Sequence, residues 1–254
     1  MTVVVLLVDP PRPGLALSEL AATSPLSEAE AADLHAAMLK DTMVAVSRSG
    51  GDLLVNYPAE EHLPEAHRRE EGTAEAELRA LAVDALDDPD EARFEVQVGS
   101  SFDARAGNTM QHLLRDEDVA SAALLRGDAP FFARAKLDTV STKLRTSDVV
   151  LGPSTGGRCY VAGFSESIDF ADAFETPELQ TLTDRAADAG HEVTFAAFQP
   201  TVRTGADLLT LVPTLRARWR ASRIVPGHTA EFVVEEGLRV VDDGGDPTLV
   251  REGE

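Results

Sequence analysis

Three features of this sequence predict a single α/β domain built on a largely parallel sheet. Residues 2–8, Thr-Val-Val-Val-Leu-Leu-Val, form a continuous apolar run rich in β-branched residues, the mark of a central strand buried on both faces. From there, short strand-like runs alternate with amphipathic stretches of helical length. No internal repeat or linker breaks the alternation, so the segments share one core. A chain of 254 residues is long enough to bury it.

Taken in order, the first strand is broken by Asp9-Pro10-Pro11-Arg12-Pro13-Gly14, where three prolines exclude regular structure. Ser27 with Glu30 forms a capping box, opening a helix whose inner stripe is Ala31, Leu34, Met38 and Ala45. Residues 52–57 read as a second strand, 59–72 as an exposed charged stretch and 73–87 as a helix. The third strand lies in 92–98, with Phe94, Val96 and Val98 or the opposite set turned inward. A helix over 102–116 and a strand over 119–125 follow, then a helix over 133–145. Strands at 148–152 and 158–164 flank a glycine-rich turn. Thr176-Pro177 is an N-cap followed by proline at the first helical position, and that helix runs to Gly190. A strand at 191–198 and a helix over 204–220 complete the domain, 1–221. Residues 222–254 form an acidic C-terminal extension. It holds a short strand at 231–236, a second at 238–241 and a loose turn at 242–247.

The formal net charge is -21, and Lys40, Lys136 and Lys143 are the only lysines among 23 basic residues. Abundant carboxylates with scarce lysine suit a salt-saturated cytoplasm, where screening relieves self-repulsion. The composition therefore predicts a halophilic, archaeal source. No basic patch is read along the chain, which argues against nucleic acid as a partner. No apolar run is long enough to span a bilayer, and the start lacks the basic, cleavable form of a signal peptide. A cytoplasmic protein is expected. The single cysteine, Cys159, excludes an intrachain disulfide and any multi-cysteine metal site.

Two short motifs bear on chemistry. Gly152-Pro153-Ser154-Thr155-Gly156 matches the G-x-S-x-G pattern of a serine nucleophile elbow. The elbow needs a following helix, and 158–164 reads as a strand, so a glycine-rich connection between strands is expected instead. Asp128 stands before Ala129-Pro130 at the carboxyl end of a strand, the edge where open α/β sheets bind ligands. A carboxylate there can hold a hard cation that in turn holds phosphate. Cys159 reads as a buried structural thiol and Asp41 as a solvated helix carboxylate. His35, His62, His67 and His112 have no metal-ligand spacing, and surface roles are expected for them.

Several of these pieces occur together in one order: the Pro11–Gly14 turn after the first strand, Leu34–Thr42 in the first long helix, and Gln97–Arg105 after the third strand. Asp128 before its proline, 149–164, 175–193 and 204–211 follow. In this order the chain resembles a large family of glycosyltransferase-like proteins of uncharacterised activity. These have the glycosyltransferase-A, or nucleotide-diphospho-sugar transferase, fold: a Rossmann-like three-layer α/β/α sandwich. More distantly it resembles molybdenum-cofactor and phospholactate guanylyltransferases. The resemblance implies a nucleotide-dependent transferase moving a glycosyl or nucleotidyl group. It implies that Pro11, Arg12, Pro13, Gly14, Gln97, Gly99 and Arg105 bind a nucleotide or nucleotide sugar. Gly156, Gly157 and Tyr160 would line the acceptor side, and Asp128 would hold Mg²⁺ or Mn²⁺.

The departures from that family are specific. Asp9 or Pro10 stands where a lysine precedes the proline loop, and Leu17-Ser18-Glu19-Leu20 replaces a lysine-threonine-arginine-leucine run. Thr155 replaces an aspartate before the glycine pair, and Arg203 replaces the second aspartate of an aspartate-x-aspartate-threonine turn. An acidic group beside phosphate costs about 1 kcal/mol even in screened surroundings. A weakly held metal site is therefore expected, with Arg203 as a phosphate clamp in the metal's stead. The alternative is a non-catalytic homologue that binds a nucleotide-like ligand or a protein. Oligomeric state is not legible.

Overall fold

The computed structural model describes residues 2–252. Strand β1 (Thr2–Leu7) is buried at every position, as its unbroken apolar run requires. After the proline turn come α1 (Ser18–Thr23) and α2 (Glu28–Ser47). The Ser27 side chain accepts from the Glu30 backbone N–H while Glu30 reaches back to the Ser27 N–H, closing the expected capping box. Ser27→Ala is expected to cost about 1 kcal/mol in a denaturant melt.

Next are β2 (Asp52–Tyr57), α3 (Ala74–Ala85), β3 (Arg93–Val96), α4 (Phe102–Gln111), β4 (Ser121–Leu125) and α5 (Arg134–Lys143). Then follow β5 (Val149–Pro153), β6 (Cys159–Phe164), α6 (Glu178–Asp188), β7 (Val193–Phe195) and α7 (Gly205–Arg220). The seven strands order β3-β2-β1-β4-β6-β5-β7, with only β6 antiparallel to its neighbours. Alternate residues of β1 serve opposite faces. Val4 and Leu6 pack with α2, α3 and α5, while Val3, Val5 and Leu7 pack with α4 and α6. The result is the expected three-layer sandwich. β3 is an edge strand: of the set Phe94, Val96 and Val98, Phe94 packs half-buried against the α3 side, while Val96 and Val98 are exposed.

Three expectations at element level need correction. Residues 231–235 lie in a helix, α8 (Gly227–Glu235), with Glu236 as its C-cap, and not in a strand. Thr229, Ala230, Phe232 and Val233 bury one face of it, and Asp41 of α2 accepts from the His228 and Thr229 backbone N–H groups at its start. Asp41 is thus a cap for α8 rather than a solvated carboxylate. Residues 242–247 are ordered: β8 (Leu238–Asp243) and β9 (Asp246–Arg251) pair through a Gly244-Gly245 hairpin. α6 begins at Glu178 with Pro177 at the cap position, and no side chain caps it. The extension packs on the domain, with Arg251 bridging Glu30 and Glu236.

Four arginines, Arg216, Arg218, Arg220 and Arg223, gather at the end of α7, a local basic cluster in a chain expected to hold none. Two are engaged internally: Arg216 pairs with Glu252, and Arg218 lies over the Phe131 ring.

Candidate active site

The chain leaves β1 toward β2 on one side while β4 returns on the other, so the sheet's switch point lies between β1 and β4. Ligands of open α/β sheets bind at such a point, outside the carboxyl ends of the strands. A cleft of about 220 Å³ opens there, lined by Leu7, Val8 and Asp9 after β1 and by Arg126 and Asp128 after β4. The far end of the proline turn (Leu15, Ala16, Leu17), His35 of α2, Phe102 and Arg105 of α4, and Arg203 before α7 complete it. Leu17 is held in the left-handed region (φ 50°), a strain that residues beside functional clefts often carry.

Charge in the cleft is organised around Arg203. Its Nε donates to Asp128 Oδ2 at 2.5 Å and its Nη1 to Glu178 Oε1 at 3.0 Å. Arg126 reaches the same Glu178 oxygen at 3.1 Å and lies 3.8 Å over the Phe102 ring. Glu178, buried at the start of α6, also accepts from the Cys159 backbone N–H. Burial works against the Arg203 charge, yet Asp128 and Glu178 outweigh it and hold the guanidinium firmly protonated. Burial pushes the Asp9 carboxyl above its usual range, with Arg105 opposing. Burial also brings the His35 imidazole down to about 4, so the ring is neutral near pH 7.

Four buried polar atoms of these side chains have no hydrogen-bond partner among the described residues: Arg203 Nη2, Arg105 Nε, Asp128 Oδ1 and His35 Nδ1. Buried polar groups are nearly always paired, so a cluster of orphans in one cleft marks a place where something else completes the bonding.

The residues present do not fit a divalent cation. Asp128 and Glu178 are both occupied by Arg203, and the described residues contain no group of three or more histidines, cysteines or acids that could hold a metal. A divalent ion about 5 Å from a guanidinium is repelled by on the order of 6 kcal/mol at an effective dielectric near 20.

The other expected site residues lie around the cleft or under it. Arg12 is 1% exposed and turned away: its Nη1 and Nη2 pair with Glu60 at 2.6 and 2.9 Å, and its Nη2 and Nε with Glu77 at 2.8 and 3.1 Å. Pro11, Pro13 and Gly14 shape this anchored turn, and none of the three lines the cleft. Gln97 is buried and donates to Val8 O and Asn56 O, tying the ends of β1 and β2. Gly99 (φ 142°) lets the chain pass close to the start of α4, where a Cβ would lie 2.7 Å from Arg105 N. Tyr160 is a core residue, 1% exposed, with its hydroxyl donated to Ala197 O. Gly156 and Gly157 both have positive φ, and Gly157 backs onto Pro177. Their loop is tied to the Arg203 turn through Asp207, which pairs with Arg158 at 2.8 Å and accepts from the Arg203 and Thr204 N–H groups.

Ser154 bonds Thr201 Oγ1 at 2.9 Å and is buried, a structural link in the same loop and no exposed nucleophile. Burial pushes the Cys159 thiol up to about 12, which keeps it inert. His35 is buried rather than on the surface. Glu178 and Arg126 were missed because the contacts that define them, Glu178 with Arg126 and with Arg203, join residues distant in sequence. The one local hint was Arg126, two residues before Asp128.

The fold and cleft define a protein of the nucleotide-diphospho-sugar transferase fold. Among solved structures the chain is similar to a protein of Desulfovibrio desulfuricans G20 provisionally described as a nucleotide-diphospho-sugar transferase. The two share 20% identity over 93% of this chain and 96% of that one, with a TM-score of 0.70. It is also similar to a 4-diphosphocytidyl-2C-methyl-D-erythritol synthase of Anaerococcus prevotii (10% identity, 85% and 96% covered, TM-score 0.48). A third is a cytidylyltransferase of Leptospira borgpetersenii (13%, 92% and 94%, 0.47). At these TM-scores the last two carry no argument. No curated protein matches the chain. Residues 68–181 match the family described as "Uncharacterized protein conserved in bacteria (DUF2064)". That span includes Arg105, Arg126, Asp128 and Glu178, and omits Asp9, His35 and Arg203. No helix among the described residues is long and apolar enough to cross a membrane.

Proposed function

We propose that this protein is a nucleotide-dependent transferase, moving a nucleotidyl or glycosyl group, with its phosphate held in the β1/β4 cleft. The observation that carries the reading is the meeting of the first turn, Arg105, Asp128 and Arg203 around one cleft at the switch point of the sheet. In that geometry Arg105 and Arg203 place guanidinium donors where charge develops on a departing phosphate, the electrostatic part of group transfer. Neutral His35 and the free oxygen of Asp128 offer acceptors for ligand hydroxyl groups. The Gly156-Gly157 loop, locked to the Arg203 turn, stands as the acceptor-side wall.

A second reading, a homologue that binds a nucleotide-like ligand without turning it over, is favoured by the Asp128–Arg203 pair, which occupies a carboxylate that would otherwise serve a cation. A thermal-shift panel of nucleoside triphosphates and nucleotide sugars, followed by assay of any stabilising ligand for pyrophosphate or nucleotide release, separates the two. Stabilisation with release supports the transferase, and stabilisation without release supports the binder. A panel with no shift counts against both.

A further inference from the structure

Asp128 lines this cleft, and Arg203 joins it to a second carboxylate, the buried Glu178. Arg203 bridges Asp128 and Glu178 through Nε and Nη1, which leaves Nη2 buried, unpartnered and beside the cleft. Across from it, Arg105 has neither an ion pair nor a side-chain hydrogen bond among the described residues, and its Nε is buried without a partner. Asp128 is 4% exposed and His35 7%; both line the same cleft, and each carries one buried atom, Oδ1 and Nδ1, without a partner among the described residues. Two orphaned guanidinium donors set beside a carboxylate oxygen and a neutral ring nitrogen complement a compound that carries both a phosphate and hydroxyl groups. The cleft's volume of about 220 Å³ is below the range of roughly 300–1,000 Å³ for pockets that enclose a drug-sized ligand. It therefore has room for the phosphate and the sugar next to it, with the rest of the ligand lying outside.

We infer that the cleft binds the phosphate of a phosphorylated sugar or nucleotide directly on Arg203 and Arg105, with no divalent cation, the Arg203 guanidinium filling the place between Asp128 and Glu178 that a cation would take. The inference rests on the proposed nucleotide site but can fail separately from it. Arg203 holds its two carboxylates whether or not ligand is present, and so presents a fixed donor. Arg105 has no ion pair or side-chain hydrogen bond among the described residues; it faces Asp9, whose carboxyl burial pushes toward the neutral form, so the guanidinium is left for an anionic ligand.

The test is calorimetric titration of CTP, UDP and inorganic pyrophosphate into the full chain, first in EDTA and then with Mg²⁺ or Mn²⁺ present. The expected result is binding in EDTA, with Kd values in the two conditions agreeing within about threefold. Arg105→Ala removes no ion pair or side-chain hydrogen bond among the described residues and should fold; it is expected to weaken pyrophosphate binding at least tenfold, roughly the worth of one charged hydrogen bond. Arg203→Lys keeps a charge near Asp128 and loses the free Nη2; it is expected to weaken the same ligand with its melting temperature recorded alongside. Binding that needs a cation overturns the inference and leaves the nucleotide site standing. Pyrophosphate binding in EDTA without binding of either nucleotide supports the inference and counts against the nucleotide reading. Wild-type affinity in Arg105→Ala, or no binding in any condition, overturns it.

Discussion

Replacing Arg12 with alanine is expected to lower stability by about 3 kcal/mol or more, while leaving the cleft's polar groups in place. The side chain is 1% exposed and bonds Glu60, Glu77 and the carbonyls of His67 and Gly72. Removing one partner of a buried ion pair costs about 3–5 kcal/mol, because the other is left uncompensated. Here two carboxylates are left close together in a chain of charge -21. Glu60 also accepts from the Arg69 and Ala74 N–H groups, so the charged stretch after β2 is fastened to the first turn through this one guanidinium. Arg12→Lys is expected to recover only part of the loss, since a point charge cannot span two carboxylates in bidentate fashion. A denaturant melt reads both. If Arg12 were instead a ligand for phosphate, the alanine variant would keep its stability and lose affinity. The Arg12 bond also holds the Glu60 carboxyl down at about 2, so this part of the stability is present above the ordinary glutamate range and is lost as the pH falls toward 2.

His35 carries the second large effect. Burial, opposed by the Asp128 charge and the Asp9 backbone, lowers its pKa from 6.5 to about 4. Between those values the unfolded chain takes up a proton that the folded chain refuses, so stability falls as the pH drops from 6.5 toward 4. The contribution amounts to about 3 kcal/mol at the acid end of the window. Below pH 4 the folded ring protonates too and the slope from this group ends. The ring lines the cleft with Asp9, Asp128, Arg105, Arg126 and Arg203, so its protonation adds a positive charge to a space that already holds three guanidiniums. The difference in unfolding free energy between wild type and His35→Asn, followed from pH 6.5 to 4, isolates the effect. A difference that does not change with pH contradicts a buried neutral ring.

Much of the scaffold was legible because local chemistry set it. The β1 run could only be a buried strand, Ser27 with Glu30 could only start a helix, and the alternation of elements required a sandwich. α8 was misread because Phe232, Val233 and Val234 favour strands locally, while its cap, Asp41, lies on another helix. The hairpin turn was read as loose because glycine and aspartate mark both turns and disorder, and only the pairing of β8 with β9 distinguishes them. At the site, the placement of Asp128 followed from strand-end logic, and attention to Arg203 from the resemblance, in which its position is held by an aspartate. What the sequence could not show was contact across long separations: Arg203 with Asp128 and Glu178, Arg12 with Glu60 and Glu77, and His35 turned into the cleft. Each depends on which elements the sheet order brings together.

The most direct measurement is a crystal structure of the protein with a bound nucleotide, grown in EDTA. The account predicts phosphate density at the carboxyl ends of β1 and β4, with an oxygen in hydrogen-bond reach of both Arg203 Nη2 and Arg105. Phosphate held at the Pro11–Gly14 turn instead, or seen only when a metal ion sits on Asp128, would contradict it.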